Sequence, residues 1–247
     1  MKQVYFIIVI IGLLLLGCNS ENAPECFRAA GDEVMYDIPA AEFNAIHISP
    51  GIELVIKQEA VQKVTVHTGA NLKEFISAEV KDGTLFITNS NNCNWTRDYN
   101  TTTVYVTTPV LARIYSASQF AVKSDGVLTY PALALQSGLN SETASGTFEL
   151  NVDMQQLSIE DNQSCYYNIT GNTEELSVSF YSGDARFNGA GLIAQKVWVF
   201  HRSSNDVIVN PQQEVKGTLY STGNLILKNR PPVEAIERLY TGRVIYN

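Results

Sequence analysis

Six serines recur through the second half of the chain: Ser116, Ser137, Ser164, Ser182, Ser203 and Ser221, at steps of 21, 27, 18, 21 and 18 residues. Each lies near small residues and is bracketed by short apolar alternating segments. The clearest units run Leu176-Ser177-Val178, Ser182-Gly183-Asp184, Phe187-Asn188-Gly189; then Val197-Trp198-Val199, Ser203-Ser204-Asn205, Ile208-Val209-Asn210; then Val215 to Leu219, Ser221-Thr222-Gly223-Asn224 and Ile226. A repeat of about 20 residues made only of strands and turns cannot bury its own apolar face and must stack on its neighbours. This predicts a parallel β-solenoid in which each repeat is one coil. In four units an apolar residue stands five positions after the serine, namely Ile169, Phe187, Ile208 and Ile226. Phe187, Ile208 and Ile226 are expected at equivalent inward positions of successive coils. A meandering β-sandwich is the alternative, because strands with regular turn signals also build sandwiches.

Upstream the apolar residues alternate as well: Ile46 and Ile48, then Ile52, Leu54 and Ile56, then Val64 and Val66, punctuated by Pro50-Gly51 and Thr68-Gly69. Period two with such breaks means strands. Lys81-Asp82-Gly83-Thr84 between Ile76–Val80 and Leu85–Ile87 predicts a hairpin, since Asp-Gly accepts the positive φ of a tight turn. Asn89 to Asn100 reads as a loop, and Val104-Tyr105-Val106 as a further strand before Pro109. No window shows a sustained period of 3.6, so the expected class is all-β. Residues 34–110 are assigned to an N-terminal β region continuous with the solenoid, and 111–247 to the repeats and a C-terminal strand.

The first residues carry a different signal. Lys2 precedes an uninterrupted apolar run from Val4 to Leu16, which is the charged and hydrophobic part of a secretory signal peptide and is too short to span a bilayer. It ends Leu15-Leu16-Gly17-Cys18, which resembles the lipobox of bacterial lipoproteins. Residues 1–17 are therefore read as a signal peptide and Cys18 as the lipid-attachment site, holding a soluble fold at a membrane without a spanning segment. The expected location is the cell envelope, as an outer-membrane lipoprotein. Residues 18–33, polar and poor in apolar side chains, are read as a flexible tether.

The formal charge is −8, and loss of Lys2 with the signal leaves 16 basic against 25 acidic residues, or −9. An acidic chain without a basic stripe excludes a nucleic-acid partner. Cys26, Cys93 and Cys165 remain after Cys18. Export permits a disulfide, and Cys26 with Cys93 is the suspected pair because both lie in loop-like surroundings. No closely spaced cysteines or histidines suggest a metal site, and no motif suggests a cofactor.

Phe43-Asn44-Ala45-Ile46, Gly51-Ile52-Glu53-Leu54-Val55-Ile56, Val64-Thr65-Val66, Asn71-Leu72 and Val80 to Ile87 are similar to the opening of the head GIN-domain family of auto-transporter adhesin heads. Its Val-x-Val-x-x-x-Pro and Ser-Gly motifs are matched by Val104 to Pro109, Ser137-Gly138, Ser182-Gly183 and Thr222-Gly223-Asn224; the glycine is missing at Ser116-Ala117-Ser118, Ser164-Cys165 and Ser203-Ser204. The resemblance runs from about Phe43 to Tyr246. It implies a right-handed parallel β-helix in lipoproteins common in Bacteroidetes, and no established activity.

Two kinds of site are conceivable on such a fold. Asp161, Asp184, Arg186, Arg202 and Asp206 lie near corners, where a carboxylate ladder could bind a cation or sugar or serve a polysaccharide lyase or hydrolase, but Asp is also simply a good corner residue. His47, His67 and His201 have no evident acidic partner in sequence. No catalytic residue is assigned. Tyr166, Tyr167, Tyr181, Trp198 and Tyr220 could instead form a lateral aromatic row against a glycan or a protein, with Tyr181 and Tyr220 on one face because both immediately precede a corner serine. The reading is a surface-anchored, non-enzymatic binding or adhesion module; a carbohydrate-active β-helix enzyme is the alternative.

Overall fold

The computed structural model describes residues 25–91, 93, 102–140 and 144–247. The signal peptide, Cys18 and the first part of the expected tether lie outside the described residues. The strands are β1 (Glu33–Asp37), β2 (Ala45–Ile48), β3 (Glu53–Gln58), β4 (Lys63–Gly69), β5 (Ile76–Lys81), β6 (Thr84–Asn89), β7 (Thr103–Thr108), β8 (Arg113–Ser116) and β9 (Val122–Leu128). They continue as β10 (Ala132–Ser137), β11 (Thr147–Asp161), β12 (Tyr166–Phe180), β13 (Arg186–His201), β14 (Val207–Leu219), β15 (Leu225–Leu227), β16 (Val233–Arg238) and β17 (Val244–Tyr246).

These strands stack into two walls of a parallel β-helix. One wall runs β7, β3, β9, the first halves of β11 to β14, then β15 and β17. The other runs β6, β2, β8, β10, the second halves of β11 to β14, then β16. Each long strand passes from the first wall to the second, and a tight corner then returns the chain to the next rung. Parallel pairing throughout the repeats rules out the β-sandwich.

Alternation on the pleat sends every second side chain inward. In the first wall the aligned inward residues are Val104, Leu54, Val122, Phe148, Tyr167, Phe187, Val207 and Leu225, all buried. The Phe148 and Tyr167 rings stack 4.7 Å apart. In the second wall Leu85, Ile46, Ile114, Leu135, Ile159, Val178 and Val199 align and are likewise buried. Burying each such side chain contributes about 1.5–3 kcal/mol, and the ladder repeats that gain rung after rung.

The expected inward trio does not share one face. Phe187 pairs with Val207 and, through it, Leu225, whereas Ile208 and Ile226 align with Asn188 on the outer face and are half-buried. Serine spacing misled because the corner after Ser182 reaches its inward residue in five steps, while those after Ser203 and Ser221 do so in four. With a side-chain period of two, a slip of one residue reverses the face.

The N-terminal end is built differently. The rung formed by β6 and β7 stacks outside the rung formed by β2 and β3, so spatial order inverts chain order there. Beyond it, β4 pairs antiparallel with β7, β1 with β4, and β5 with β6. The β5–β6 hairpin turns on Asp82 (φ 50°) and Gly83 (φ 71°), as its Asp-Gly predicted.

Residues 25–33 do not behave as the expected tether. Cys26 is disulfide-bonded to Cys93. The Ala70 and Asn71 amides donate to the Asp32 and Ala30 carbonyls at 2.8 and 3.0 Å, and Gly69 lies so close to Ala30 that an added Cβ would stand 2.2 Å from its carbonyl oxygen. Backbone partners and a cross-link override the weak apolar content of this stretch.

The C-terminal end closes with polar groups. Glu234 and Arg238 occupy the inward positions that Val215 and Leu219 hold one rung earlier. Tyr246, in register with inward Leu227, donates its hydroxyl to the Glu234 carboxylate at 2.7 Å, and the Arg230 guanidinium lies 4.0 Å from its ring centre. Charges at inward positions of a last rung discourage continued stacking.

Candidate functional site

The acidic candidates do not converge. Asp161 ends β11 at an inward position, in register with Phe180 and His201. Its carboxylate accepts hydrogen bonds from the Gln163 amide (2.6 Å) and the Tyr167 hydroxyl (2.8 Å), and burial pushes its pKa up to about 6. Beside it the buried Cys165 thiol donates to the Ser137 hydroxyl at 3.1 Å and is pushed up by burial to about 12, which makes it inert. Asp184 is exposed in a corner, and Asp206 holds the Asn224 amide and side chain at 3.1 and 2.9 Å. Arg186 lies over the Tyr166 ring at 5.5 Å, and Arg202 points to solvent from the corner after β13. No carboxylate ladder forms.

The histidines are structural in setting. His47 packs between Phe86 and Tyr115, with ring centres 5.2 and 4.6 Å away. His67 lies 3.4 Å from Glu33 on the strands that close the N-terminal end. His201 is buried without a hydrogen bond to either ring nitrogen, and burial pushes its pKa down to about 4. Among the described residues no group of His, Cys, Asp and Glu could hold a metal ion.

The aromatic candidates do converge, on the outer face of the second wall. In β13 the inward Val197 and Val199 alternate with outward Trp198 and Phe200. Phe200 is the centre of the cluster: its ring lies 5.7 Å from Tyr181, 4.7 Å from Tyr220 and 6.4 Å from Trp198. Tyr181 and Tyr220 thus share a face, as expected. Trp198, Tyr220 and Tyr181 remain 47, 39 and 37 % exposed, so this is surface and not core. Tyr166 and Tyr167 belong to the first wall, Tyr167 inside it.

Beside Trp198 a groove of about 430 Å³ crosses the wall from β14 to β10. Its floor is small because the outward residues in register with Trp198 are Ser177, Ser158 and Ala134. Along one side runs the aligned row Gln156, Glu175, Lys196 and Glu214. Gln156 donates to Glu175 at 3.2 Å, and Lys216 pairs with Glu214 at 2.8 Å. In the next outward row, outside the groove's lining, Glu160 accepts from Gln136 (2.6 Å) and from the Tyr181 hydroxyl (3.1 Å). A larger cleft at the N-terminal end, about 850 Å³, is less suited to a ligand because Arg28 pairs there with Glu74, and Lys73 lies over the Tyr36 ring at 4.4 Å. Sequence reasoning did not find Phe200 or the small floor. Both become visible only when the repeats are aligned by strand register and not by serine.

A family model described as "Putative auto-transporter adhesin, head GIN domain" matches residues 42–231. The chain belongs to the head GIN-domain family. Among solved structures, a "putative adhesin" from Bacteroides fragilis superposes with a TM-score of 0.78 at 16% identity, over 89% of this chain and 99% of that one. A "putative adhesin" from Parabacteroides distasonis gives 0.62 at 19% identity, over 89% and 99%. A "putative lipid binding protein" from the same species gives 0.62 at 14% identity, over 88% and 98%. At these identities the likeness is one of fold. None of the curated proteins compared is a match. The description of the head GIN-domain family points to binding or adhesion at the cell surface or envelope.

Proposed function

We propose that this head GIN-domain protein is a lipid-anchored, non-enzymatic binding module that presents the outer face of its second wall to a glycan or protein ligand. The observation that carries the reading is the exposed trio of Trp198, Tyr181 and Tyr220 gathered around the half-buried Phe200 beside a groove, since large aromatics left in solvent supply contact area with little conformational freedom to lose. The groove's carboxylates are engaged, Glu175 by the Gln156 amide and Glu214 by the Lys216 ammonium, and the buried acid, Asp161, lies on the inner side of the wall. That arrangement suits holding a ligand better than hydrolysing one.

Two measurements test the two parts. Fatty-acid labelling should mark the wild type and not Cys18→Ser; label persisting in the variant would refute the anchor. Cells displaying the wild-type chain should adhere to a glycan- or protein-coated surface more strongly than cells displaying Trp198→Ala. Any glycan recovered after contact with the pure protein should be unchanged in length, and reproducible cleavage would replace the binding reading with an enzymatic one.

A further inference from the structure

From the groove on the second wall we infer a site for a neutral oligosaccharide, bound with its chain along the solenoid axis; the inference rests on the binding reading above. The groove crosses β10, the second halves of β11, β12 and β13, and β14. With strands about 4.8 Å apart, those rungs span roughly 20 Å, and a volume of about 430 Å³ falls in the range of small-ligand sites.

The chemistry of the walls selects the class. A pyranose has two apolar ring faces and a rim of hydroxyls. Trp198 offers a half-exposed ring at the end of a row of small residues, Ser177, Ser158 and Ala134, which leaves room for a sugar ring beside it. The rim would meet the side-chain donors and acceptors of the row Gln156, Glu175 and Lys196.

Charge narrows it further. The groove is lined by two carboxylates, Glu175 and Glu214, and two ammonium groups, Lys196 and Lys216, so it carries no net charge. Lys196 sits in register between Glu175 and Glu214, so a carboxylate-bearing residue flanks it on each neighbouring strand. An acidic sugar would find no excess of positive charge in the groove and would approach a chain that is itself at −8. A peptide added as an extra strand is disfavoured because the groove lies on a sheet face whose backbone groups are already paired between neighbouring rungs.

The test uses the mature chain produced without its lipid on an array of neutral gluco-, manno-, galacto- and N-acetylglucosamine oligosaccharides, printed beside uronic-acid and sialylated glycans and a panel of purified proteins. The expected result is capture by neutral glycans. It should weaken at least roughly tenfold in Trp198→Ala, as truncation of a central aromatic anchor does. It should also weaken in Ser177→Tyr, which fills the floor. Arg186→Ala, on the first wall, should leave capture unchanged, and thermal melts should show all three variants folded. Neutral glycans held equally by Trp198→Ala and Ser177→Tyr, or a preference for acidic glycans, would overturn the inference. Capture of proteins alone, lost in Trp198→Ala, would overturn the ligand class while leaving the binding reading intact. Capture of nothing on the array would end both.

Discussion

The consecutive rungs of β10 to β15 and the N-terminal closure of β1, β4 and β5 hold together by different means. In the rungs each residue pairs with another only about 20 positions away, as Val178 with Val199, and every rung repeats the same inward apolar stack. At the N-terminal end the pairs are antiparallel, the approach of Gly69 to Ala30 is specific, and a disulfide joins residues 67 positions apart. Repetition makes stability a sum of neighbour terms. A closure that does not repeat depends on a few contacts, each without a substitute.

The comparison can be broken first in the rungs. Phe187→Ala should lower unfolding stability by about 3–5 kcal/mol in urea titrations. Its double mutant with Val207→Ala should depart from additivity, while that with Leu54→Ala, several rungs away, should add within about 0.5 kcal/mol. Additive behaviour with Val207 would mean the stack is not continuous. Next, Cys93→Ser should remove about 2–4 kcal/mol. Hydrogen exchange should show the loss in β1, β4 and β5; equal loss of protection in β12 and β13 would erase the distinction between the regions.

The pH dependence of the rungs is a further test, because two buried groups act in opposite directions. Asp161 rises from 3.8 to about 6 on folding, so its contribution favours the fold below pH 4 and is lost as pH rises towards 6. His201 falls from 6.5 to about 4, so its contribution is present above pH 6.5 and lost as pH falls to 4. Each is on the order of 3 kcal/mol, and between pH 4 and 6 they nearly cancel. Asp161→Asn should therefore lose stability on acidification more steeply than the parent, and His201→Leu should gain stability over the same range. Identical slopes in all three proteins would refute this pairing. Smallest of all, Ile208→Ala should change stability by about 1 kcal/mol or less, since its side chain lies on the outer face.

The solenoid was legible because small corner residues and alternating apolar segments recur, and the Asp-Gly hairpin because its turn chemistry is local. Register was not legible from serines: corners vary by a residue in length, and Ile208 looks as apolar in sequence as the Val207 that actually faces inward. The shared face of Tyr181 and Tyr220 was legible for the opposite reason, since both follow directly on the ends of aligned strands. Residues 25–33 were misread because their order comes from partners more than 35 residues away, at Ala70, Asn71 and Cys93, which composition cannot reveal.

The inverted order of the first two rungs bears on how the chain assembles in time. Ile46 must wait for Leu85 on one side and Ile114 on the other, closing loops of 39 and 68 residues, whereas Val199 finds Val178 across only 21. Loop closure grows more costly with length, and distant pairings form late. A chain emerging from its N-terminus therefore presents β2 and β3 long before they have neighbours, whereas each later rung emerges directly after the coil it stacks on. The end of the protein made first is the one that waits longest for its partners.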